Sequence, residues 1–193
     1  MTEEPRRERA DAARNRRAIL DATAALLAER GAAGVTMERV AAAAGVGKGT
    51  VFHRFGSRAG LLYEMMASRA LALREAVQTG PPPLGPGAPA GERLLAYFDA
   101  MTLLVADNIE LVLAYQALPP HPQSEELHAF WAAHIGSLLR EARPDLADAD
   151  AVGTLLLGTI GGEAAQRMVQ TGGKDRLAAG MHDLVTAVLN DRR

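Results

Sequence analysis

The stretch Thr36-Met37-Glu38-Arg39-Val40-Ala41-Ala42-Ala43-Ala44-Gly45-Val46-Gly47-Lys48-Gly49-Thr50-Val51-Phe52-His53-Arg54-Phe55 decides the fold of this chain. Val40, Ala41 and Ala44 recur at helical spacing, Gly45 interrupts the helix, and Val51, Phe52 and Phe55 form a second apolar stripe. Two short helices joined by a glycine turn are the layout of a helix-turn-helix, whose second helix lies in the DNA major groove. Thr36 precedes the first of these helices and can cap it, and Glu38 in its first turn suits the helix dipole. The second helix is expected at about 47–53.

Upstream, Ile19, Ala22, Leu26 and Leu27 lie on one face of a helix expected over 12–30, with Gly31 after its end. Residues 1–11 are charged and read as a mobile basic arm. Arg14, Arg16 and Arg17 fall in the first turns of that helix, the end where the dipole disfavours cations, and phosphate contact would explain the choice. Downstream, a helix is expected from Ser57 to about 78, followed by a loop across Gly80–Pro89, where prolines and glycines forbid regular structure. Further helices are expected at 91–117 (with a break near Asp107-Asn108), 124–142, 148–171 and 174–190.

Ala- and Leu-rich runs with few β-branched alternations favour an all-helical protein, and 48% hydrophobic residues suffice for a core. The absence of cysteine excludes disulfides, thiolate metal sites and cysteine nucleophiles. The N-terminus lacks the apolar segment of a secretory signal and no run is long enough to span a membrane, so a cytoplasmic location is expected. The net charge of −2 is unevenly spread. Residues 1–60 carry 11 Lys/Arg against 7 Asp/Glu, and residues 61–193 carry 10 against 16. A basic end on an acidic body points to a polyanionic partner for the first sixty residues.

Residues 12–62 resemble the N-terminal domain of the tetracycline-repressor (TetR) family. The likeness rests on Ile19-Leu20-Asp21-Ala22, Ala28-Glu29-Arg30-Gly31, Thr36, Val40-Ala41, Ala44-Gly45-Val46, Lys48-Gly49-Thr50-Val51-Phe52, Phe55, Ser57-Arg58 and Leu61-Leu62, in order and without gaps. It implies an all-α chain. An N-terminal helix-turn-helix DNA-binding domain would span 12–57, and a helical ligand-binding and dimerisation domain would span 58–193. Thr36 would contact phosphate, and Gly47–His53 would form the recognition helix. Lys48 would sit at its edge and Gly49 would admit a close backbone approach. Thr50 would reach a base or phosphate, and Val51 a thymine methyl. His53 and Arg54 would flank the DNA backbone, and Arg58 would bind phosphate from the start of the fourth helix. With Arg16, Arg17 and Phe52 these make up the expected DNA-binding set. Two positions depart from the family pattern: Phe52 replaces a common tyrosine and loses its phosphate-binding hydroxyl, and Gly47 replaces a common serine cap.

The resemblance also implies a homodimer on a palindromic operator and a pocket for a small, largely apolar inducer. Gly153, Gly158, Gly161 and Gly162 within one expected helix suggest close helix–helix approach. With Leu155, Leu156, Ile160, Ala164 and Ala165, and with Leu177, Met181, Leu184, Val185 and Leu189 of the next helix, they make half of a two-fold interface or an ordinary intrachain contact. Expected pocket residues are Phe98, Met101, Leu104, Leu113, Tyr115, Trp131, His134, Leu138, Ile160, Glu163 and Met168, although apolar residues at this spacing also build plain cores. His121, His128 and His134 are too widely spaced to expect a metal site. No nucleophile–base pair or nucleotide-binding glycine loop is present, and no cofactor is implied. The sequence therefore reads as a DNA-binding transcriptional regulator and not an enzyme, most simply a ligand-responsive repressor. A ligand-independent or activating regulator, or a helical carrier or enzyme, remains the alternative.

Overall fold

The computed structural model describes residues 4–119 and 122–190. Among them the elements are nine helices and no strand: α1 (Glu4–Gly34), α2 (Met37–Ala44), α3 (Lys48–Phe55), α4 (Arg58–Thr79), α5 (Ala90–Asp107), α6 (Ile109–Gln116), α7 (Pro122–Ala142), α8 (Ala149–Ile160) and α9 (Glu163–Asn190). They divide into two units. One runs to Met66 and includes Leu113–Leu118; the other comprises Ala67–Val112 and the chain from Pro119 onward. The division falls inside α4 rather than at its start, where the sequence placed a boundary between 57 and 58.

In the first unit α1 starts at Glu4, so residues 4–11 of the expected arm are helical. Arg14, Arg16 and Arg17 consequently sit about three turns or more into the helix, where the terminal field has decayed. The expected conflict with the dipole does not arise. Gly31 (φ 63°, ψ −171°) breaks the helix where the sequence ends it. Thr36 then caps α2, its Oγ1 accepting from the Arg39 N–H at 3.3 Å. Gly45 ends α2 in the left-handed region (φ 66°), a conformation a side chain would strain. The Val46 N–H donates to the Ala41 carbonyl at 3.0 Å, which completes the turn. Gly47 precedes α3 without a side-chain cap; its carbonyl accepts from Thr50 N–H at 2.9 Å. Ser57 caps α4, its Oγ accepting from the Gly60 N–H at 3.1 Å. α1 packs on α2 and α2 on α3, with Ile19, Leu27, Val40, Val51, Phe55 and Leu61 buried.

In the second unit α5 is the central helix, packed against α9 on one side and α7 on another, with α8 covering α7. Leu94, Phe98, Ile135, Leu139, Ile160 and Val185 are buried there. Asn108 ends α5, the break the sequence signalled. The helix expected over 148–171 is two helices, because the Gly161-Gly162 pair ends α8. The break expected at Gly172-Gly173 is a kink within α9 at Gly173 (φ 73°, ψ 175°). Among the glycines expected on one helix, Gly153 serves close approach. A Cβ there would lie 2.9 Å from Ile135 Cγ2 of α7, whereas Gly158 and Gly162 face open space. Asp148 caps α8, its Oδ1 accepting from the Ala151 N–H at 2.8 Å. Buried Arg143 holds the end of α7 to Asp145, donating from Nε and Nη2 at 2.7 Å each, and donates from Nη1 to the Val188 carbonyl of α9.

Candidate nucleic-acid interface and ligand site

α3 is anchored by Val51 (0% exposed) and Phe55, both turned into the first unit. Four residues separate them, one helical turn, so the remaining face looks outward. That face carries Lys48, Gly49, Thr50, Phe52, His53 and Arg54, all exposed. A helix presenting two cations, a histidine and a hydroxyl around a glycine offers hydrogen bonds and charge to a polyanion. Gly49 has no neighbour within 4 Å of where a Cβ would stand. Nothing inside the chain therefore requires glycine there, although glycine costs a helix about 1 kcal/mol relative to alanine.

Three expected contacts have partners inside the chain. Val51 is fully buried and has no methyl to offer a base. Arg58 braces the fold: its Nε donates to the Val35 carbonyl at 2.9 Å and its Nη2 to the Ala32 carbonyl at 2.8 Å. These bonds tie the start of α4 to the turn between α1 and α2 and engage two of the five guanidinium N–H donors, so Arg58 has a structural role that the sequence did not suggest. Arg16 pairs with Glu64 of α4. Arg17, by contrast, is exposed and only 3.9 Å from Asp21, a loose pair that leaves its guanidinium able to turn outward.

Lys48 pairs with Glu38 of α2 and lies 5.5 Å from the Phe52 ring centroid. The hydrogen bond from Lys48 holds the Glu38 carboxyl below its ordinary value. Half-exposed Phe52 thus supports a cation in place of the hydroxyl a tyrosine would bring. Thr36 is half-buried with its hydroxyl engaged in the cap. Arg39, which sequence reasoning passed over, is exposed on the first turn of α2, and its Nη1 reaches only the Gly34 carbonyl at 3.4 Å. A cation three residues after a capping threonine was the available signal.

The expected ligand residues fare unevenly. Phe98, Met101, Trp131 and Leu138 are buried in the second unit, and Leu104 and His134 are half-buried there. Glu163 is exposed and pairs with Arg167 at 3.3 Å, and Met168 is 38% exposed, so neither points inward. The two start α9 after the break at Gly161-Gly162 and do not continue the face of α8 that carries Ile160. Tyr115 and Leu113 belong to the first unit, where Tyr115 meets Tyr63 edge-on at 5.3 Å.

Around Trp131 and His134 the structure gathers Tyr97, which the sequence reading skipped in favour of its neighbour Phe98. The Tyr97 ring lies 5.2 Å from Trp131, 5.2 Å from Phe98 and 5.6 Å from His134. Phe130 stacks on His134 at 6.1 Å and carries the Arg74 guanidinium 4.4 Å from its centroid. The Tyr97 hydroxyl, His134 Nε2 and Arg93 Nε are buried without a hydrogen-bond partner among the described residues. Burial raises the Tyr97 phenol well above its ordinary value of 10.0. Burial, and secondarily the Arg93 charge, lower His134 below 6.5. The ring is neutral near neutral pH. No group of three His, Asp or Glu among the described residues could hold a metal ion; His121 lies outside them.

On α8 and α9 the expected two-fold face is mostly core: Leu156, Ile160, Ala165, Leu177, Met181 and Val185 are buried. Outside are Leu155, 71% exposed, Leu184, 42% exposed, and exposed Ala164, with Gly158 and Gly180 open to solvent. Among the described residues no helix is long and apolar enough to cross a membrane.

Residues 19–65 match the family described as bacterial regulatory proteins, tetR family. No protein of curated function matches the chain. Solved structures do match it over most of its length. A transcriptional regulator from Saccharomonospora viridis in complex with choline is 23% identical, with a TM-score of 0.68 over 89% of this chain and 95% of that one. AibR in complex with isovaleryl coenzyme A and operator DNA is 21% identical, with a TM-score of 0.66 over 88% and 97%. FadR from Bacillus subtilis in complex with stearoyl-CoA is 19% identical, with a TM-score of 0.67 over 91% and 98%. Residues 19–65 are thus similar to the tetR family of bacterial regulatory proteins, and the helices as a whole share the fold of these solved transcriptional regulators.

Proposed function

We propose that this chain is a ligand-responsive repressor, not an enzyme, that acts in the cytoplasm as a homodimer on a palindromic operator. The observation that carries the reading is α3: an eight-residue helix pinned by Val51 and Phe55, with Gly49, Thr50, His53 and Arg54 turned outward. In this arrangement Thr50 reads a base edge, Arg54 and Arg17 hold phosphates, and Gly49 lets the α3 backbone come close to the duplex. Lys48 exchanges Glu38 for a phosphate when DNA arrives.

One helix-turn-helix reads few base pairs, so pairing about a two-fold axis doubles the footprint. Leu155 and Leu184, with Gly158 and Gly180 open to solvent, supply a self-complementary apolar face for that pairing. AibR and the Saccharomonospora viridis regulator bind a coenzyme A thioester and choline, which supports a ligand-bound second unit here and leaves the ligand class open. α4 continues by chain order from the first unit into the second, so a ligand that favours one setting of α4 changes the spacing of the two recognition helices.

The test is selection of duplexes from random DNA by the purified protein, followed by affinity measurements at two salt concentrations and sedimentation of the complex. A palindromic site, bound by two copies with an affinity that falls steeply with salt, is the expected result. Thr50→Ala should change the selected sequence. Leu155→Arg should yield a folded monomer with weakened operator binding, since the side chain is already exposed. Failure to enrich any sequence would overturn the reading and return the carrier or enzyme alternative.

A further inference from the structure

Five buried side-chain polar atoms of the second unit have no hydrogen-bond partner among the described residues: Arg93 Nε, Tyr97 Oη, Thr102 Oγ1, His134 Nε2 and Thr186 Oγ1, of which those of Arg93, Tyr97 and His134 belong together. Arg93 and Tyr97 are one turn apart on α5 and therefore share a face. His134 reaches the same place from α7, its ring 5.6 Å from that of Tyr97 and within the field of Arg93. The Tyr97 side chain is fully buried. Among the described residues its hydroxyl, Arg93 Nε and His134 Nε2 all lack a hydrogen-bond partner, and no carboxylate pairs with Arg93. Native proteins rarely leave even one buried polar side-chain atom unpaired, and here three converge beside an aromatic wall of Phe98, Phe130 and Trp131. Thr102, also buried and unpaired, lies about 140° around α5 from Tyr97 and does not belong to the group.

Resting on the ligand-responsive reading above, we propose that Arg93, Tyr97 and His134 form the recognition site for a carboxylate carried on an apolar body. The guanidinium fork offers paired donors that match the two oxygens of a carboxylate. The Tyr97 hydroxyl donates a third hydrogen bond, and neutral His134 donates from Nε2 in the matching tautomer. The aromatic wall takes the body of the ligand. A cationic ligand is disfavoured on two sides: Arg93 stands at the polar end, and Arg74 already covers the Phe130 ring at 4.4 Å.

Calorimetric titration of the full-length protein with phenylacetate and octanoate, against their primary amides and the amines phenethylamine and octylamine, tests this. At least one acid is expected to bind at micromolar to millimolar concentration, with its amide about tenfold or more weaker and its amine undetected. The better acid of the two distinguishes an aromatic from an aliphatic body. Arg93→Gln should weaken the acid about tenfold to a hundredfold while leaving the amide unchanged, and Arg93→Lys, which keeps the charge, should recover part of the loss. Tyr97→Phe supplies a variant of unchanged shape. An amine that binds as well as its acid, Arg93→Gln without effect on acid binding, or no binding of either acid would each overturn the proposal. Operator selection by the same preparation is read separately. If DNA is selected and the acids fail, only the carboxylate site is lost; if DNA is not selected, the regulator reading fails by itself.

Discussion

Removing the Tyr97 hydroxyl should make the ligand-free protein more stable. The side chain is 0% exposed, and its oxygen has no hydrogen-bond partner among the described residues. In the unfolded chain that oxygen is hydrated, so folding strips its water and returns nothing. A buried polar group left unpaired costs about 1–3 kcal/mol. Phenylalanine keeps the ring and its contacts with Phe98 and Trp131. It loses only the contacts of one oxygen, at about 0.1–0.2 kcal/mol each. The balance favours Tyr97→Phe by about 1 kcal/mol, a rise in melting temperature of about 2–4 °C for a chain of this size. Thermal and urea unfolding of the two proteins without ligand is the assay, at matched protein concentration so that dimerisation does not differ. A variant destabilised by 1 kcal/mol or more would refute the reasoning, because the hydroxyl would then have a partner in the free protein. A site kept unsatisfied until a ligand arrives predicts the opposite order in its presence: the wild-type protein gains more from a bound acid than the variant does.

Gly49→Ala should fold as well as the wild type or better, since the added methyl meets open space and alanine is the better helix former, yet bind the selected operator more weakly; unchanged operator affinity would remove the close-approach argument. Arg58→Ala and Arg54→Ala should separate the two roles of arginine in the first unit. The former unpairs the Val35 and Ala32 carbonyls and should destabilise the fold by about 1–3 kcal/mol in urea. The latter should leave stability alone, weaken all duplexes alike and reduce the salt slope by about 1. His134 gives a pH signature. Its folded value lies below 6.5, so under that pH the unfolded chain binds a proton that the native ring refuses. Stability should fall as pH drops below 6.5 and level off beneath the folded value, and His134→Gln should flatten that stretch in urea titrations from about pH 5 to about pH 7.5.

The helices of the first unit were legible because each boundary there has a local chemical cause. Thr36 caps, Gly45 turns left-handed, and Gly31 breaks α1, and each acts through its own backbone. The side-chain assignments were less legible for a geometric reason. Val51 and Thr50 are adjacent in sequence but about 100° apart around α3, and only packing against α2 decides which of them is buried. Arg58 misled in a related way. A cation near a helix start reads only as a phosphate ligand, and its bonds to the carbonyls of Val35 and Ala32, more than twenty residues upstream, have no local signal. In α1 the error was one of origin. With the helix starting at Glu4 instead of near 12, three arginines moved from its first turns to its middle, and the dipole argument built on them disappeared.

The second unit was harder for a different reason. Apolar spacing selects the buried side of a helix, and it selected Phe98, Met101 and Trp131 correctly. A ligand site, however, is marked by what such spacing treats as noise. The pair Arg93 and Tyr97 has the same one-turn spacing as any core pair, and the sequence reading singled out neither residue. In a packed core a guanidinium, a phenol and an imidazole would each find a partner or be replaced by leucine. Their convergence without partners is a cost that packing does not explain, and a bound acid would remove it. Glu163 failed for the converse reason: a carboxylate in the expected helix looked like a polar wall of the pocket. Once Gly161-Gly162 ends α8, that residue begins a new helix and pairs with Arg167 on the surface. The charge beside the aromatic residues is therefore that of Arg93 and not of Glu163, and the apolar ligand expected from the sequence gains an acid group.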